Sequence, residues 1–324
     1  MSQNILKIDN VKKAYIKYNI LGKEITKFSA LNGLNLKLEK GQIYGFLGPN
    51  GAGKTTTIKC IVGILESDSG DIFIDGQNIK DNLTFLKKKI GFLPEQVGLY
   101  GTLTANESLK FYGGFYGLSD NEIEKRSENL LSKLGLEKDA NRKVNEYSLG
   151  MKKRLALCIA LINNPEILVL DEPTSGLDPR GVKALRIVLK DLNKKGLTIL
   201  LSSHVLSEVQ EICTHVGIIN KGKIIRQESI KEIIKEIEKK TIKLLLKVKN
   251  IKKETIGYLS KNKRIKSLKH NIDKKHEELV LDLKEENIPW VTDYLVKNET
   301  KIFSIEPQKN SLEDIFLKET GGHN

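Results

Sequence analysis

Hydrophobic and polar positions alternate in several short segments near the start of the chain. The clearest are ILKID (5–9), LNLKL (34–38) and DIFID (71–75). A period of two puts the apolar side chains on one face, so these segments predict half-buried β-strands. One helix is predicted to interrupt them at residues 54–65, and the polar stretch 15–30 is predicted to add a hairpin.

From residue 104 the apolar spacing becomes helical and stays so to about residue 164. Thr104 with Glu107, and Ser119 with Glu122, match the capping box that begins a helix. Two apolar segments follow, ILVL (167–170) and LTILL (197–201). Their continuous apolar character is typical of parallel strands covered on both faces, and each precedes a predicted helix. The pattern therefore predicts an α/β sheet.

The composition changes near residue 228, beyond which Lys and Glu dominate. Three strand-like segments follow, TIKLLLKV (241–248), ELVLDL (278–283) and KIFSIEP (301–307), and a capped helix is predicted from Ser311. We therefore predict a first domain over residues 1–230, with a helical subdomain at about 100–165. A small α+β domain is predicted over residues 240–324.

Composition and charge narrow the classes of protein. The 324 residues are 39% hydrophobic and 29% charged, which is typical of a globular protein. No apolar run approaches the ~18 residues that span a bilayer, and the N-terminus lacks the features of a secretion signal, so a cytoplasmic location is expected. The net charge of +13 permits attraction to nucleic acid or to an anionic membrane, although the lysines are interspersed with glutamates.

The three cysteines, Cys60, Cys158 and Cys213, lack the paired spacing of a zinc site and are predicted to be buried thiols.

A phosphate-binding loop is predicted after the strand QIYGFL. Residues 48–56 (GPNGAGKTT) fit the pattern G-x-x-x-x-G-K-[ST] between a strand and a helix. The glycines let backbone N–H groups surround phosphate oxygens, Lys54 is expected to bind the β- and γ-phosphates, and Thr55 is expected to bind Mg²⁺. A helix start with chance glycines is the alternative. The predicted nucleotide-binding residues of the loop are Gly48, Pro49, Asn50, Gly51, Ala52, Gly53, Lys54, Thr55 and Thr56.

Two acidic residues end the apolar strand at 167–170. Asp171 and Glu172 lie where ligands bind in parallel sheets, at the carboxyl end of a strand. Asp171 is expected to hold Mg²⁺ through water, and Glu172 is expected to activate the attacking water. His204 follows the next strand at the corresponding end, although taken alone it would be an ordinary residue at a helix start. Together with the loop, these residues predict hydrolysis of a nucleoside triphosphate.

The segment YSLGMKKR (147–154) contains no acidic residue. Ser148 is predicted to N-cap the amphipathic helix that follows, whose first N–H groups then point at an anion. The segment resembles the signature motif of ATP-binding cassette (ABC) transporter ATPases, whose usual core is Ser-Gly-Gly-Gln. In that family two cassettes pair head to tail. The resemblance implies that Ser148, Leu149 and Gly150 contact the ATP held by a second cassette.

Further segments resemble motifs of this family in the same order. Tyr15 lies where an aromatic residue stacks on adenine, with a core tyrosine as the alternative. Gln96 in GFLPEQ matches a glutamine that contacts Mg²⁺ and the attacking water, with a surface glutamine as the alternative. Asp178 in SGLDP (175–179) matches a residue that reaches across the dimer, and it is also predicted to N-cap a helix that begins at Pro179.

The resemblance covers about residues 4–230. It implies a P-loop NTPase of the ABC cassette type, with a RecA-like α/β core, an antiparallel β subdomain and an α-helical subdomain, to which the small α+β domain is appended. Leu149 and Met151 depart from the usual glycine and glutamine, and Met151 cannot supply the polar contact of that glutamine. The Ser-Leu-Gly-Met form and the C-terminal extension resemble the branch concerned with drug, bacitracin and lantibiotic-type peptide export and immunity.

The chain is therefore expected to be an ATPase subunit that uses ATP and Mg²⁺ and pairs with a second cassette. A homodimer is expected, and a heterodimer remains open. The pair is expected to drive an exporter through a separate transmembrane permease at the inner face of the cell membrane, with the helical region after Gln96 as the docking surface.

Two other classes of protein are weighed against this interpretation. A soluble ABC-type ATPase acting on nucleic acid or the ribosome is disfavoured because the chain has one phosphate loop and no long heptad run. Another P-loop enzyme, such as a kinase or a helicase motor, is disfavoured by YSLGMKKR and SGLDP. No specific nucleic acid partner is expected.

Overall fold

The computed structural model describes residues 4–18, 24–239, 242–272 and 277–308, together with Phe316 and Glu319. The chain divides into two compact units, Met1–Ile230 and Lys231–Asn324. The tip of the predicted hairpin, residues 19–23, lies outside the described residues. The predicted helix from Ser311 also lies outside them, apart from Phe316 and Glu319.

The first unit combines two sheets with helices. Its strands are β1 (Asn4–Tyr18), β2 (Glu24–Glu39), β3 (Ile43–Leu47), β4 (Ser69–Ile74), β5 (Gln77–Asn78), β6 (Ile90–Leu93), β7 (Ile167–Leu170), β8 (Thr198–Ser203), β9 (His215–Asn220) and β10 (Lys223–Ser229). Its helices are α1 (Lys54–Ile61), α2 (Leu83–Lys89), α3 (Ala105–Phe115), α4 (Asp120–Lys133), α5 (Leu149–Leu161), α6 (Pro179–Lys194) and α7 (Leu206–Ile212).

The alternating segments near the start of the chain form an antiparallel sheet in the order β2-β1-β4-β5. Leu6 lies opposite Leu38, and Ile8 lies opposite Leu36, so apolar side chains of β1 and β2 share one face. This face is buried in a core that also contains Phe46 of β3. The antiparallel sheet is thereby fixed to the second sheet.

The second sheet has the order β10-β9-β3-β8-β7-β6, in which all neighbours are parallel except β10 and β9. Every residue of β7 and β8 is buried, which explains their continuous apolar sequences. Because β3, β8 and β7 are adjacent and parallel, the residues that follow them lie along one edge of the sheet. The phosphate loop, His204 and the acid pair are those residues.

The helical part of the first unit is built from α3, α4 and α5, and α3 packs on both others. Thr104 and Ser119 form the predicted capping boxes of α3 and α4. Arg126 donates to the carbonyl oxygen of Ile162 at 2.9 Å, and Arg154 donates to that of Leu134 at 3.0 Å. These arginines satisfy carbonyl groups that helix ends leave free.

The second unit has its own sheet and core. The helix α8 (Ile230–Lys239) begins at the last residue of the first unit, and β11 (Ile242–Lys249), α9 (Lys253–Lys261), β12 (Ile265–Ile272), β13 (Glu277–Leu283), α10 (Ile288–Lys297) and β14 (Lys301–Gln308) follow. The four strands form an antiparallel sheet in the order β12-β13-β11-β14, which is the split βαβ arrangement. Its core contains buried leucines of β11 and β13, together with Leu259 of α9 and Leu295 of α10.

Several details differ from the sequence-based prediction. Helix α1 ends at Ile61 rather than at residue 65, because Gly63 adopts a φ of 69°, which a continuing helix does not allow. The helices α9 and α10 and the strand β12 were not predicted. All three cysteines are buried, as predicted, and burial raises the pKa of Cys60 to about 11. Among the described residues, no helix is long and apolar enough to cross a membrane.

Candidate functional site

The predicted phosphate loop joins β3 to α1. Gly53 precedes the helix with a φ of 109°, and a Cβ atom at this position would lie 2.7 Å from the carbonyl oxygen of Ala30. Only glycine fits both constraints. The buried Lys54 ammonium donates to the carbonyl oxygens of Gly48 at 2.7 Å and Pro49 at 3.3 Å. The loop therefore curls around its own lysine at the N-terminus of α1, where a helix attracts anions.

Asp171 lies beneath this loop at the carboxyl end of β7. Its Oδ1 atom accepts a hydrogen bond from Ser202 Oγ at 2.6 Å and from Thr55 Oγ1 at 3.3 Å. Ser202 is fully buried at the end of β8, so the carboxylate is held by a neighbouring strand. The predicted metal residues Thr55 and Asp171 are therefore adjacent.

Glu172 lies between two basic side chains, Lys54 and His204. Its carboxylate lies 3.6 Å from Lys54 Nζ and 2.9 Å from His204 Nδ1. Its backbone has a φ of 45°, which is a strained conformation for a residue with a side chain. Ser202 Oγ accepts a hydrogen bond from the Glu172 backbone N–H at 2.8 Å and stabilises this conformation. The predicted catalytic pair Glu172 and His204 is thus in direct contact.

A cavity of about 270 Å³ opens in front of these groups. It is lined by loop residues 49–51 and 53–56 and by Phe28, Ala30, Glu95, Glu172 and His204. Tyr15 is exposed beside it, with its hydroxyl 3.4 Å from Thr56 Oγ1, and is therefore not a core tyrosine. Gln96 is also exposed, but in the described part of the chain it is not among the lining residues, whereas its neighbour Glu95 is.

The remaining predicted residues lie on a separate surface. Ser148 N-caps α5 by accepting a hydrogen bond from the Met151 backbone N–H at 3.3 Å. Asp178 N-caps α6, accepting from the Gly181 N–H at 2.8 Å. Leu149 is half exposed, and its side chain covers Gly176, where an added Cβ would lie 2.7 Å from Leu149 Cδ2. Neither Ser148 nor Asp178 lines the cavity described above.

Sequence reasoning missed four residues that support the site. Phe28 lies opposite Tyr15 in the pairing of β1 with β2 and lines the cavity. Ser202 supports both acids, and Glu208 accepts hydrogen bonds from Thr174 at 2.5 Å and Ser203 at 3.3 Å. Buried Lys153 donates hydrogen bonds to backbone carbonyl oxygens of the loop that begins at Glu172. Two features of the sequence could have indicated such residues: the serines directly before His204, and a lysine at position 153 inside an otherwise apolar helix.

The fold and the site together define a P-loop nucleoside triphosphatase, because a phosphate loop follows β3 and two acids follow β7 of one parallel sheet. Residues 31–175 match the ABC transporter family. The chain is 36% identical over 323 residues to the linearmycin resistance ATP-binding protein LnrL of Bacillus subtilis (strain 168), a match that covers 98% of each chain.

A second relative is also similar along its length. The chain is 34% identical over 309 residues to the bacitracin transport ATP-binding protein BcrA of Bacillus licheniformis, covering 95% of this chain and 97% of BcrA. A solved dimeric structure of the ATP-binding cassette MJ0796 in a post-hydrolysis state, bound to ADP and Pi, has a TM-score of 0.62 at 30% identity. That match covers 69% of this chain and 98% of MJ0796. The chain therefore belongs to the ABC transporter family as an ATP-binding and ATP-hydrolysing subunit, which confirms the predicted family, fold class and enzyme activity.

Proposed function

We propose that the cavity holds ATP with Mg²⁺ and that the residues around it have distinct roles in binding and hydrolysis. The phosphate loop binds the phosphates through its N–H groups and Lys54. Thr55 and Asp171 fit Mg²⁺, because a hydroxyl and a carboxylate are the hard oxygen ligands that this ion prefers beside phosphate oxygens and water. When bound, Mg²⁺ neutralises charge on the transferred phosphoryl group. The adjacency of Thr55 Oγ1 and Asp171 Oδ1, 3.3 Å apart, supports this assignment.

Glu172 is proposed as the residue that activates the attacking water. Its carboxylate faces the cavity, and His204 orients it from one side while Lys54 lies on the other. The contact of Glu172 with His204 at 2.9 Å is the observation that carries the proposed mechanism, since the two residues are 32 positions apart and meet only through the fold. Gln96 is proposed to approach the nucleotide from the loop after β6, and Tyr15 and Phe28 are proposed to contact the adenine.

A second cassette is proposed to complete the site. Ser148 at the start of α5 is exposed and does not line the chain's own cavity, which suits contact with a phosphate that another molecule holds. Asp178 at the start of α6 is proposed to reach across the same junction. MJ0796, which this chain resembles, is dimeric in the matched structure. We propose a homodimer, with a different cassette as the other possible partner.

The pair is proposed to drive export of a drug or antimicrobial peptide through a separate permease, at the cytoplasmic face of the membrane. The names of LnrL and BcrA, which concern linearmycin resistance and bacitracin transport, support this substrate class. The proposed docking surface is an aromatic cluster that follows Gln96. Tyr100, Phe111 and Phe115 are all exposed there, and Phe111 makes edge contacts with both others at centroid distances of 5.4 Å and 5.0 Å. Exposed apolar clusters of this kind mark interaction surfaces.

Steady-state hydrolysis and ATP binding of the purified chain test the chemistry. Glu172→Gln is expected to lower the hydrolysis rate at least 100-fold while the Kd for ATP changes less than about threefold, because a general base acts in the reaction and not in binding. Glu166→Gln is the matched control, since Glu166 pairs with Lys89 at 3.0 Å outside the cavity. Hydrolysis by Glu172→Gln at more than about a tenth of the wild-type rate would contradict the proposed role.

The docking surface is tested by membrane association in cells that contain the permease. Phe115→Ser is expected to leave hydrolysis by the isolated chain unchanged and to reduce the membrane-bound fraction at least fivefold. Ile187→Ser also removes an exposed apolar side chain, from α6, and serves as the control. Equal loss of the membrane-bound fraction in both variants would contradict docking at the aromatic cluster.

A further inference from the structure

Lys153 is a buried lysine whose hydrogen bonds, within the described residues, all go to backbone carbonyl oxygens. It lies in the second turn of α5 and is 5% exposed. Its ammonium donates to the carbonyl oxygens of Glu172 at 3.2 Å, Pro173 at 3.2 Å and Ser175 at 2.5 Å. An ammonium has three protons, so these three acceptors satisfy it completely. Charge-assisted hydrogen bonds of this kind are about twice as strong as neutral ones.

The three carbonyl groups belong to the loop that begins at Glu172. The Glu172 backbone is in the left-handed region, and such a conformation persists only when its surroundings impose it. Ser202 fixes the peptide N–H on one side of this residue, and Lys153 fixes its carbonyl oxygen on the other. The direction of the Glu172 side chain is therefore set jointly from β8 and from α5.

A second contact joins the same helix to the same loop. Leu149 lies four residues before Lys153, which puts the two side chains on one face of α5. Leu149 covers Gly176, which has a φ of 72° that favours glycine and no Cβ atom to keep Leu149 at a distance. The loop from Glu172 to Asp178 is thus held against α5 at its beginning by an ammonium and near its middle by a leucine.

Among the residues that the structure describes, Lys153 has no direct ion pair, and its charge is balanced by carboxylates at longer range. Burial lowers the pKa of Lys153, and the nearby carboxylates of Glu95, Glu172 and Glu208 oppose this effect. Lys153 is not among the described residues that line the nucleotide cavity, so it has no direct contact with bound nucleotide to lose. Its effect on the reaction must pass through the loop.

We infer that Lys153 is a positioning residue for ATP hydrolysis, which anchors the loop of Glu172 to α5, the helix that Ser148 caps. The helix start proposed to contact the ATP of a second cassette and the carboxylate proposed to activate water are then parts of one connected element. The inference rests on the role proposed above for Glu172. A displacement of a reacting group by about 1 Å costs roughly 100-fold in rate, so loss of this anchor is expected to appear in hydrolysis.

The test compares Lys153→Met, Lys153→Gln and wild type in single-turnover hydrolysis and in ATP binding. Lys153→Met keeps an unbranched side chain but removes all three donors. It is expected to slow hydrolysis 10- to 100-fold while the Kd for ATP changes less than threefold. Lys153→Gln keeps two donors in a shorter neutral group. Its hydrolysis rate is expected to lie between those of Lys153→Met and wild type, 3- to 10-fold below wild type. Lys190→Met removes one exposed lysine charge from α6 and is expected to match wild type.

Hydrogen exchange separates positioning from general destabilisation. In Lys153→Met, the peptide over residues 172–178 is expected to exchange at least tenfold faster, while the peptide over residues 54–61 is unchanged. Wild-type hydrolysis in Lys153→Gln, unchanged exchange at 172–178, or equal losses in binding and hydrolysis would each overturn the inference. If Lys153→Met does not fold, Lys153→Gln decides by the same measurements. Failure of the Glu172 role would show separately, as retained hydrolysis in Glu172→Gln.

Discussion

Ser202 is the residue whose removal tests the geometry of the site most simply. Its hydroxyl donates to Asp171 Oδ1 at 2.6 Å and accepts from the Glu172 backbone N–H at 2.8 Å, and the side chain is fully buried. Ser202→Ala removes both hydrogen bonds without adding volume. The Glu172 N–H is then left buried in a strained backbone with no acceptor from β8.

The size of the effect follows from these two bonds. A hydrogen bond to a charged group contributes about 1.5–3 kcal/mol, and a buried donor left without a partner costs about 1–3 kcal/mol. Because the two bonds share one hydroxyl, their losses are not additive, and we expect about 3 kcal/mol in total. At about 2–4 °C per kcal/mol for a unit of this size, the unfolding midpoint of the first unit falls by roughly 6–12 °C.

The assay is thermal unfolding of the full chain, with Ser132→Ala as the control. Ser132 is exposed on α4, and its substitution is expected to move the midpoint by less than about 2 °C. Ser202→Ala is also expected to slow hydrolysis, since both acids lose a support. A midpoint within about 2 °C of wild type would refute the reasoning, because Ser202 would then not be holding either acid.

Two further predictions concern the nucleotide and the dependence on pH. Phe28→Ala is expected to raise the Kd for ATP roughly fivefold, because stacking on a base contributes about 1 kcal/mol or more. Ile25→Ala, on the same strand, is the control and is expected to leave the Kd unchanged. Equal effects of the two substitutions would contradict a contact between Phe28 and the nucleotide. Hydrogen bonds from Lys89 and Lys40 lower the pKa of Asp75, so this carboxylate stabilises the fold above about pH 4, and the stabilisation is lost as pH falls through the lowered pKa. Asp75→Asn is therefore expected to reduce the free energy of unfolding by up to about 1 kcal/mol at pH 7. The difference in this free energy between the variant and wild type is expected to shrink as the pH is lowered, and a difference that stays constant would contradict the prediction.

The parts of the site that the sequence predicted are those carried by contiguous residues. The phosphate loop, the acid pair and the N-cap at Ser148 each occupy a few positions next to a recognisable strand or helix, and the structure brings the first two together as parallel strands require. Phe28 and Ser202 could not be predicted in the same way. The position of Phe28 depends on the register of β1 with β2, and Ser202 acquires its role from acids about 30 positions away, through the pairing of β7 with β8.

The second unit shows a different limit of the sequence pattern. Strands β11 and β13 lie in the middle of the sheet and have regularly spaced buried leucines. The alternation of apolar and polar residues in their sequences therefore predicted both strands. Strand β12 lies at the edge of the sheet, where Ile265 is its one buried residue and five of its eight positions are exposed. Helix α9 is nine residues long, with Thr255 and Leu259 as its buried residues. Two buried positions are too few to establish a helical period.

Pairing of two cassettes around ATP is the central claim, and the solution mass of Glu172→Gln with and without Mg-ATP tests it most directly. The chain has a mass of 36.5 kDa, and ATP is expected to double it in this variant, where slow hydrolysis preserves the bound nucleotide. Adding Ser148→Arg is expected to leave the chain monomeric with ATP still bound, because the arginine blocks the start of α5. An ATP-bound chain that stays monomeric without Ser148→Arg would contradict pairing of this chain with itself, and one that dimerises equally well with Ser148→Arg would contradict the role of the α5 start.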